Sequence, residues 1–279
     1  MPEIAEVETV RLTLKERILN KTIKDIHIYY EKIILDNPEI FTEKLIGETF
    51  KDIKRIGKWL IFETDNYYLL SHLRMEGKYF IKNSKDELVK HEHIEFVFTD
   101  STCLRYHDTR KFGRMKLMPK DKLYEFEGIK KQGIEPLNDD LTADYLYKKF
   151  HPKNIPMKTL LLDQTIISGL GNIYADEVLF ASKVNPFKKG NQITKKDCER
   201  IVASSNSIIK NAIKEGGTTI RSYTSSLGVT GRFQNYLMVH KKEGEKCSIC
   251  GSIIQKEFIG GRSTYYCPKC QKVKKTIKA

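Results

Sequence analysis

No run of apolar residues in this 279-residue chain approaches the ~20 that a bilayer-crossing helix needs. Residues 1–30 carry no secretory leader pattern, and neither an internal repeat nor a low-complexity tract occurs. Cysteine is scarce in the body of the chain, where only Cys103 and Cys198 are found. Acidic residues are in deficit, 36 Asp and Glu against 49 Lys and Arg, which leaves a formal charge of +13. These absences argue against a membrane-spanning protein and a disulfide-stapled secreted scaffold. The basic excess favours a polyanionic partner. A chain with 40% apolar and 30% charged residues reads as a soluble globular protein with room for two cores and a small extra module.

What is present is concentrated at the two ends. The chain begins Met1-Pro2-Glu3. Removal of Met1, which a small second residue favours, leaves Pro2 as a free secondary amine. Such an amine attacks a sugar C1′ or an aldehyde carbon, and proline yields an iminium that is charged at any pH. The α-amino group titrates at about 7.7–8.0, so part of it is unprotonated near neutrality. Glu3 places a general acid beside that nucleophile.

At the other end, Cys247-x2-Cys250 and Cys267-x2-Cys270 are separated by sixteen residues, the spacing of a four-thiolate zinc ribbon. Strand-like runs at Ile253–Ile259 and Ser263–Cys267 flank Gly260-Gly261, which predicts a β-hairpin pinned by one structural ion. Four protein ligands leave no open position for water on that metal. Residues 241–279 hold ten Lys or Arg against three Asp or Glu, a local +7 that suits a phosphate backbone.

Between the ends, Ile4, Val7, Val10, Leu14 and Ile18 recur at helical spacing and predict a first helix over Ala5–Leu19. Short β-rich runs follow: Ile23–Tyr30, Leu60–Thr64, Tyr67–Leu73, Ile94–Thr99, Cys103–His107 and Met115–Met118. They predict a sandwich behind the leading helix. Residues 131–140 have linker composition. Helical periods then return at Ala143–Phe150, Met157–Leu162, Ile173–Ser182 and Lys195–Glu215. Gly169-Leu170-Gly171 turns into the third of these, with Asn172 expected as its N-cap and phosphate end.

Four signatures now stand in one order: PEIAEVET at the start, DTRKFGR over Asp108–Arg114, GLGNIYADE over Gly169–Glu177, and the ribbon containing GGRSTYYC. In combination they resemble the formamidopyrimidine-DNA glycosylase family of bacterial base-excision enzymes. Two departures stand out. Ala5 occupies a position where the family usually has proline, and His240-Lys241-Lys242 replaces a more typical Gly-Arg stretch.

The resemblance implies an α+β chain: a β-sandwich domain over 1–132, a helical domain with a helix–two-turns–helix element over 133–237, a zinc finger over 238–272 and a basic tail over 273–279. It implies excision of 8-oxoguanine and ring-opened purines from duplex DNA by a monomer in the bacterial cytoplasm, at the nucleoid, with one structural zinc ion. Pro2 would be the nucleophile, Glu3 the acid, Lys58 the cation of β-elimination and Arg262 that of δ-elimination. Met75, Arg110 and Phe112 would fill the gap left by a flipped nucleotide. His91, Arg110, Lys153 and Asn172 would contact DNA, and residues 218–235 would close over the purine. His91-x-His93 is not read as a metal pair. Two alternatives remain open on the residues alone. One is an endonuclease VIII-like enzyme for oxidised pyrimidines, and the other is a non-catalytic zinc-ribbon DNA-binding protein.

Overall fold

The first helix, α1 (Ile4–Ile18), buries Ile4, Val7, Val10, Leu14 and Ile18 along one stripe, the set its periodicity predicts. The computed structural model to which it belongs describes residues 1–218 and 231–272. Most of the proposed closing segment 218–235 and all of the tail 273–279 therefore lie outside the described residues.

After α1 come β1 (Ile23–Ile28), α2 (Pro38–Leu45), β2 (Asp52–Ile56), β3 (Trp59–Glu63), β4 (Tyr67–His72) and β5 (Lys78–Asn83). β6 (Glu92–Phe98), β7 (Thr102–His107) and β8 (Arg114–Pro119) complete the strands of this part. They form two antiparallel four-stranded sheets, ordered β1-β6-β7-β5 and β2-β3-β4-β8. Ile26, Phe96 and Leu104 from the first meet Phe62, Leu69 and Met115 from the second in one core, to which α1 adds Val7, Val10 and Leu14. This is the expected sandwich. α2, β2 and β5 were not anticipated: charge separates the apolar residues of α2 and β2, and the apolar run of β5, Tyr79-Phe80-Ile81, is short. Asn37 caps α2, accepting the N–H groups of Glu39 and Ile40, and Pro38 occupies its first position.

A short helix, α3 (Glu127–Lys130), ends this part. The described residues divide into two compact units, Met1–Lys131 with Glu215–Gln234, and Gln132–Lys214 with Asn235–Ala279. The described part of 215–234 thus groups with the sandwich rather than with the helices before it. The Gly-Pro-Asn-Asp stretch after Lys131 is docked rather than loose. Gly133 N–H donates to the Gln164 carbonyl at 2.8 Å, and Ile134 bridges Ile167. A Cβ on Gly133 would come within 2.4 Å of the Ile166 backbone.

The second unit holds α4 (Ala143–Phe150), α5 (Met157–Leu162), α6 (Asn172–Ala181), α7 (Lys195–Lys214) and the hairpin β9 (Gln255–Ile259) and β10 (Arg262–Tyr266). Gly260 and Gly261 both adopt positive φ, as a two-residue type I′ turn requires. No helix among the described residues is long and apolar enough to cross a membrane.

Candidate active site and DNA-contact residues

In the first unit, Pro2 and Glu3 are buried at the entry to α1. Glu6 reaches back to accept the Glu3 N–H at 2.8 Å, one half of a capping box. Its other oxygen accepts the N–H and hydroxyl of Thr218 at 2.7 and 3.0 Å. Glu6 was not singled out from sequence, although the Glu-x-x-Glu spacing carried the signal. Burial lowers the Met1 ammonium below its ordinary 8.0 and Lys58 lowers it further, against Glu3, Glu6 and Glu76, which raise it. The same groups therefore surround the terminus: three carboxyls and one lysine.

Lys58 is held there by a tight turn. Ile56 pairs with Trp59, so Gly57-Lys58 is a two-residue hairpin loop, and Gly57 supplies the positive φ. The Lys58 side chain is buried, 6% exposed, which is unusual for an amine on a loop. Next to it His72 is pushed down to about 3 by burial and by the charges of Arg74 and Lys58, so its ring is neutral at any physiological pH.

Met75 lies in the β4–β5 loop, and Arg110 and Phe112 lie in the β7–β8 loop. Arg110 and Phe112 are exposed, and the guanidinium carbon stands 4.8 Å from the phenyl centroid. His91 precedes β6 with φ 75°, a left-handed conformation that is costly for histidine. It does not share a strand face with His93, whose Nε2 donates to the Asp108 carbonyl at 2.8 Å.

In the second unit, Asn172 corrects one expectation. Gly171, not Asn172, is the N-cap of α6, and the Asn172 side chain makes no cap. Its amide instead donates to the Ser263 carbonyl at 2.9 Å, which ties the helix start to the strand bearing Arg262. The backbone of Asn172 is already helical, so the amide is free to reach sideways. Its Oδ1 is buried without a hydrogen-bond partner among the described residues. Lys153 lies on the loop after α4, with its carbonyl accepting Asn191 N–H at 2.9 Å. Arg110, Lys153 and Arg262 form no ion pair among the described residues.

The departure at His240 has a structural counterpart. Its Nδ1 meets Asp176 at 2.7 Å, and the other oxygen of that carboxylate takes Lys158 at 2.6 Å. All three groups are buried. Glu177 beside them accepts the N–H groups of Met238, Val239 and His240, so α6 fixes the chain that leads into the hairpin.

The four cysteine sulfurs lie within 4.8 Å of one another, with Cys247–Cys270 at 3.9 Å and Cys250–Cys267 at 3.4 Å. A zinc–sulfur bond of about 2.3 Å puts tetrahedral sulfurs about 3.8 Å apart, so the set fits one zinc ion. Among the described residues no other group of side chains has this character.

Comparison with known proteins agrees with this arrangement. The Formamidopyrimidine-DNA glycosylase N-terminal domain matches residues 1–115 and its H2TH domain residues 132–224. A zinc finger found in FPG and IleRS matches residues 244–273. The formamidopyrimidine-DNA glycosylase of Bacillus anthracis is 45% identical over 273 residues, 97% of this chain and 99% of that protein. That of Lactobacillus delbrueckii subsp. bulgaricus is 42% identical over 272 residues, 98% and 100% of the two chains. Among solved structures, the Lactococcus lactis Fpg with abasic-site DNA superposes with a TM-score of 0.92 at 42% identity, covering 97% of this chain and all of that one. The same enzyme with DNA containing an oxidised pyrimidine gives 0.91 at 41% identity, covering 98% and 100%. Full-length identity, three matched domains and the four-cysteine centre leave one conclusion: the chain belongs to the formamidopyrimidine-DNA glycosylase family.

Proposed function

We propose that this chain is a bifunctional base-excision repair enzyme that removes 8-oxoguanine and formamidopyrimidines from duplex DNA and then cleaves the strand. The observation that carries the reading is the buried Pro2-Glu3 entry to α1, ringed by carboxyls and Lys58, in a member of this family. Relatives solved with abasic-site DNA and with N7-Benzyl-Fapy-dG DNA support the substrate class.

In the proposed reaction the Pro2 nitrogen forms a bond to C1′ of the damaged nucleotide as the bond to the base breaks. Glu3 gives its proton to the sugar or the departing base. Cleavage of the C1′–O4′ bond, with a proton passing to O4′, opens the sugar and leaves the Pro2–C1′ iminium, which acidifies C2′. Loss of that proton expels the 3′-phosphate, and a second elimination expels the 5′-phosphate. Water then releases Pro2. Lys58 and Arg262 act as cations for the two anionic leaving groups. Met75, Arg110 and Phe112 occupy the space of the flipped nucleotide, and His91, Lys153 and Asn172 hold the backbone. Zinc, when bound, stabilises the hairpin that carries Arg262. The work of such an enzyme lies on chromosomal DNA, at the bacterial nucleoid.

Borohydride trapping is the direct test. The full chain with 8-oxoguanine duplex should give a covalent adduct that peptide mapping places on Pro2. Oxidised-pyrimidine duplex is the comparison substrate, since the Lactococcus relative has been solved with such DNA. An adduct on Lys58 with Pro2→Gly fully active would overturn the nucleophile, and faster excision of pyrimidines would overturn the substrate class.

A further inference from the structure

Two loops carry the side chains proposed to fill the gap, and they are locked together by residues with no assigned role. Asp108 is fully buried at the start of the β7–β8 loop. One carboxylate oxygen accepts Arg110 N–H at 3.0 Å and the other accepts Gly113 N–H at 2.8 Å, so this carboxylate shapes the turn between them. Its own N–H donates to the His91 carbonyl at 3.0 Å, and its carbonyl accepts from His93. Lys111 inside the turn takes φ 57°, a conformation that the surrounding bonds must hold.

Tyr106, also fully buried, extends this lock to the other loop. Its hydroxyl lies 3.4 Å from Asp108 Oδ2. A Cβ placed on Gly113 would come within 1.8 Å of that hydroxyl, and one on Gly77 within 2.2 Å. The hydroxyl therefore sits between two glycine backbones, one closing the Met75 loop and one closing the Arg110–Phe112 loop. The Thr109 hydroxyl adds a direct bridge by donating to the Glu76 carboxylate. Phe112 and Arg110 are stacked on each other.

We infer that Tyr106 and Asp108 are positioning residues that bind the Met75 loop and the Arg110–Phe112 loop into one wedge, so that the three side chains enter the duplex as a unit. This rests on the reading that Met75, Arg110 and Phe112 fill the gap. The need is physical. Opening a base stack costs free energy at each step, and side chains on separately moving loops would each lose their own freedom on insertion. Fixing them beforehand removes that loss.

The test is a double-substitution cycle on the full chain, read as single-turnover excision of 8-oxoguanine opposite cytosine. Met75→Ala and Phe112→Ala are made singly and together, in the parent and in Tyr106→Phe, which deletes one oxygen and keeps the ring packed on Tyr79. In the parent the double variant should fall within about twofold of the worse single variant, because one lost member disables the unit. In Tyr106→Phe the two losses should multiply. Asp108→Asn, whose amide can satisfy only one of the two N–H donors, should give the same uncoupling. Multiplying losses in the parent, or unchanged coupling in both backgrounds, would overturn the inference. If neither single variant slows excision, the gap-filling reading itself fails, and the inference falls with it.

Discussion

Glu8 of α1 and Arg55 of β2 are joined by a 2.9 Å ion pair, and this pair ties the helix that begins at Pro2-Glu3 to the hairpin that presents Lys58. Arg11 adds a second contact to Glu8 at 2.6 Å and donates to the Ile53 carbonyl at 3.0 Å. Arg55 also donates to the Gly57 carbonyl at 2.9 Å, beside the lysine itself. The helix that follows Pro2-Glu3 and the hairpin of Lys58 are thus held on one frame by two arginines sharing one carboxylate.

Burial pushes the Glu8 carboxyl up, but hydrogen bonds from Arg11 and Arg55 outweigh it and hold the group below its ordinary 4.5. A carboxyl depressed in the folded state contributes stability above its unfolded pKa, and loses it as pH falls through the folded value. Glu8→Gln should cost about 1–3 kcal/mol at pH 7, as charged hydrogen bonds do. The gap between parent and variant should close below pH 4. Thermal or urea melts from pH 3 to 7 measure it, and a gap that stays constant across that range would contradict the assignment.

The terminal amine gives a second pH dependence, in reactivity rather than stability. Burial, the largest effect, and Lys58 lower the Met1 ammonium from 8.0. With Met1 removed, the Pro2 amine is expected to meet the same surroundings. Only the neutral amine attacks, so trapping should rise with pH and reach its plateau at a lower pH than an unburied α-amino group would. Single-turnover borohydride trapping between pH 5.5 and 9.5 reads this directly. A rate still climbing above pH 9 would mean that the environment does not depress the amine. An uncleaved N-terminal tag should abolish trapping, since an amide nitrogen has no available lone pair.

The sandwich was legible because its buried strands carry short stretches rich in β-branched and aromatic residues. Trp59–Glu63 and Glu92–Phe98 are buried at almost every position. Asp52–Ile56 was missed because it presents alternate charges, and its place is set by pairing with β3 rather than by its own pattern. The metal site near the C-terminal end was legible for another reason: each knuckle draws its two ligands from one short stretch of sequence. Tyr106 and Asp108 act through contacts with Gly77, Gly113 and His91, which only the fold brings near. Asp108 lay inside a recognised motif, yet nothing in one dimension distinguishes its buried carboxylate from an exposed one. The unexpected sideways reach of Asn172 to Ser263 crosses 91 positions and has no local signal.

Metal removal should act on one part of the molecule. Cys247 and Cys267 sit in a small cluster with Phe180, Val239 and Ile254, too few apolar residues to hold a hairpin without the ion. Chelation, or Cys250→Ser, should therefore melt β9–β10, free Asn172 from Ser263 and weaken DNA binding. The sandwich should keep its own melting transition, because its core is separate and larger. Circular dichroism and duplex binding, with and without chelator, measure both effects. Active, tightly binding protein with no zinc by elemental analysis would contradict this.

Arg110 sets the last expectation, discrimination by the base opposite the lesion. Its guanidinium is exposed, stacked on Phe112 and aimed by the Asp108 turn. Arginine offers five donors and no acceptor, so it suits an orphaned cytosine, whose edge has two adjacent acceptors in N3 and O2, better than adenine, whose edge has only N1 beside its amine. Repair logic points the same way, since excision opposite adenine would fix a mutation. Excision of 8-oxoguanine should therefore be faster opposite cytosine than opposite adenine. A well-placed arginine contact discriminates by about 1–3 kcal/mol, so Arg110→Ala should narrow the ratio by at least about fivefold. Arg110→Lys should recover little of it, because one ammonium cannot reproduce the planar fork. The measurement is single-turnover excision on paired duplexes that differ only at the opposite base. Equal rates in the parent chain, or an unchanged ratio in Arg110→Ala, would place the discrimination elsewhere in the site.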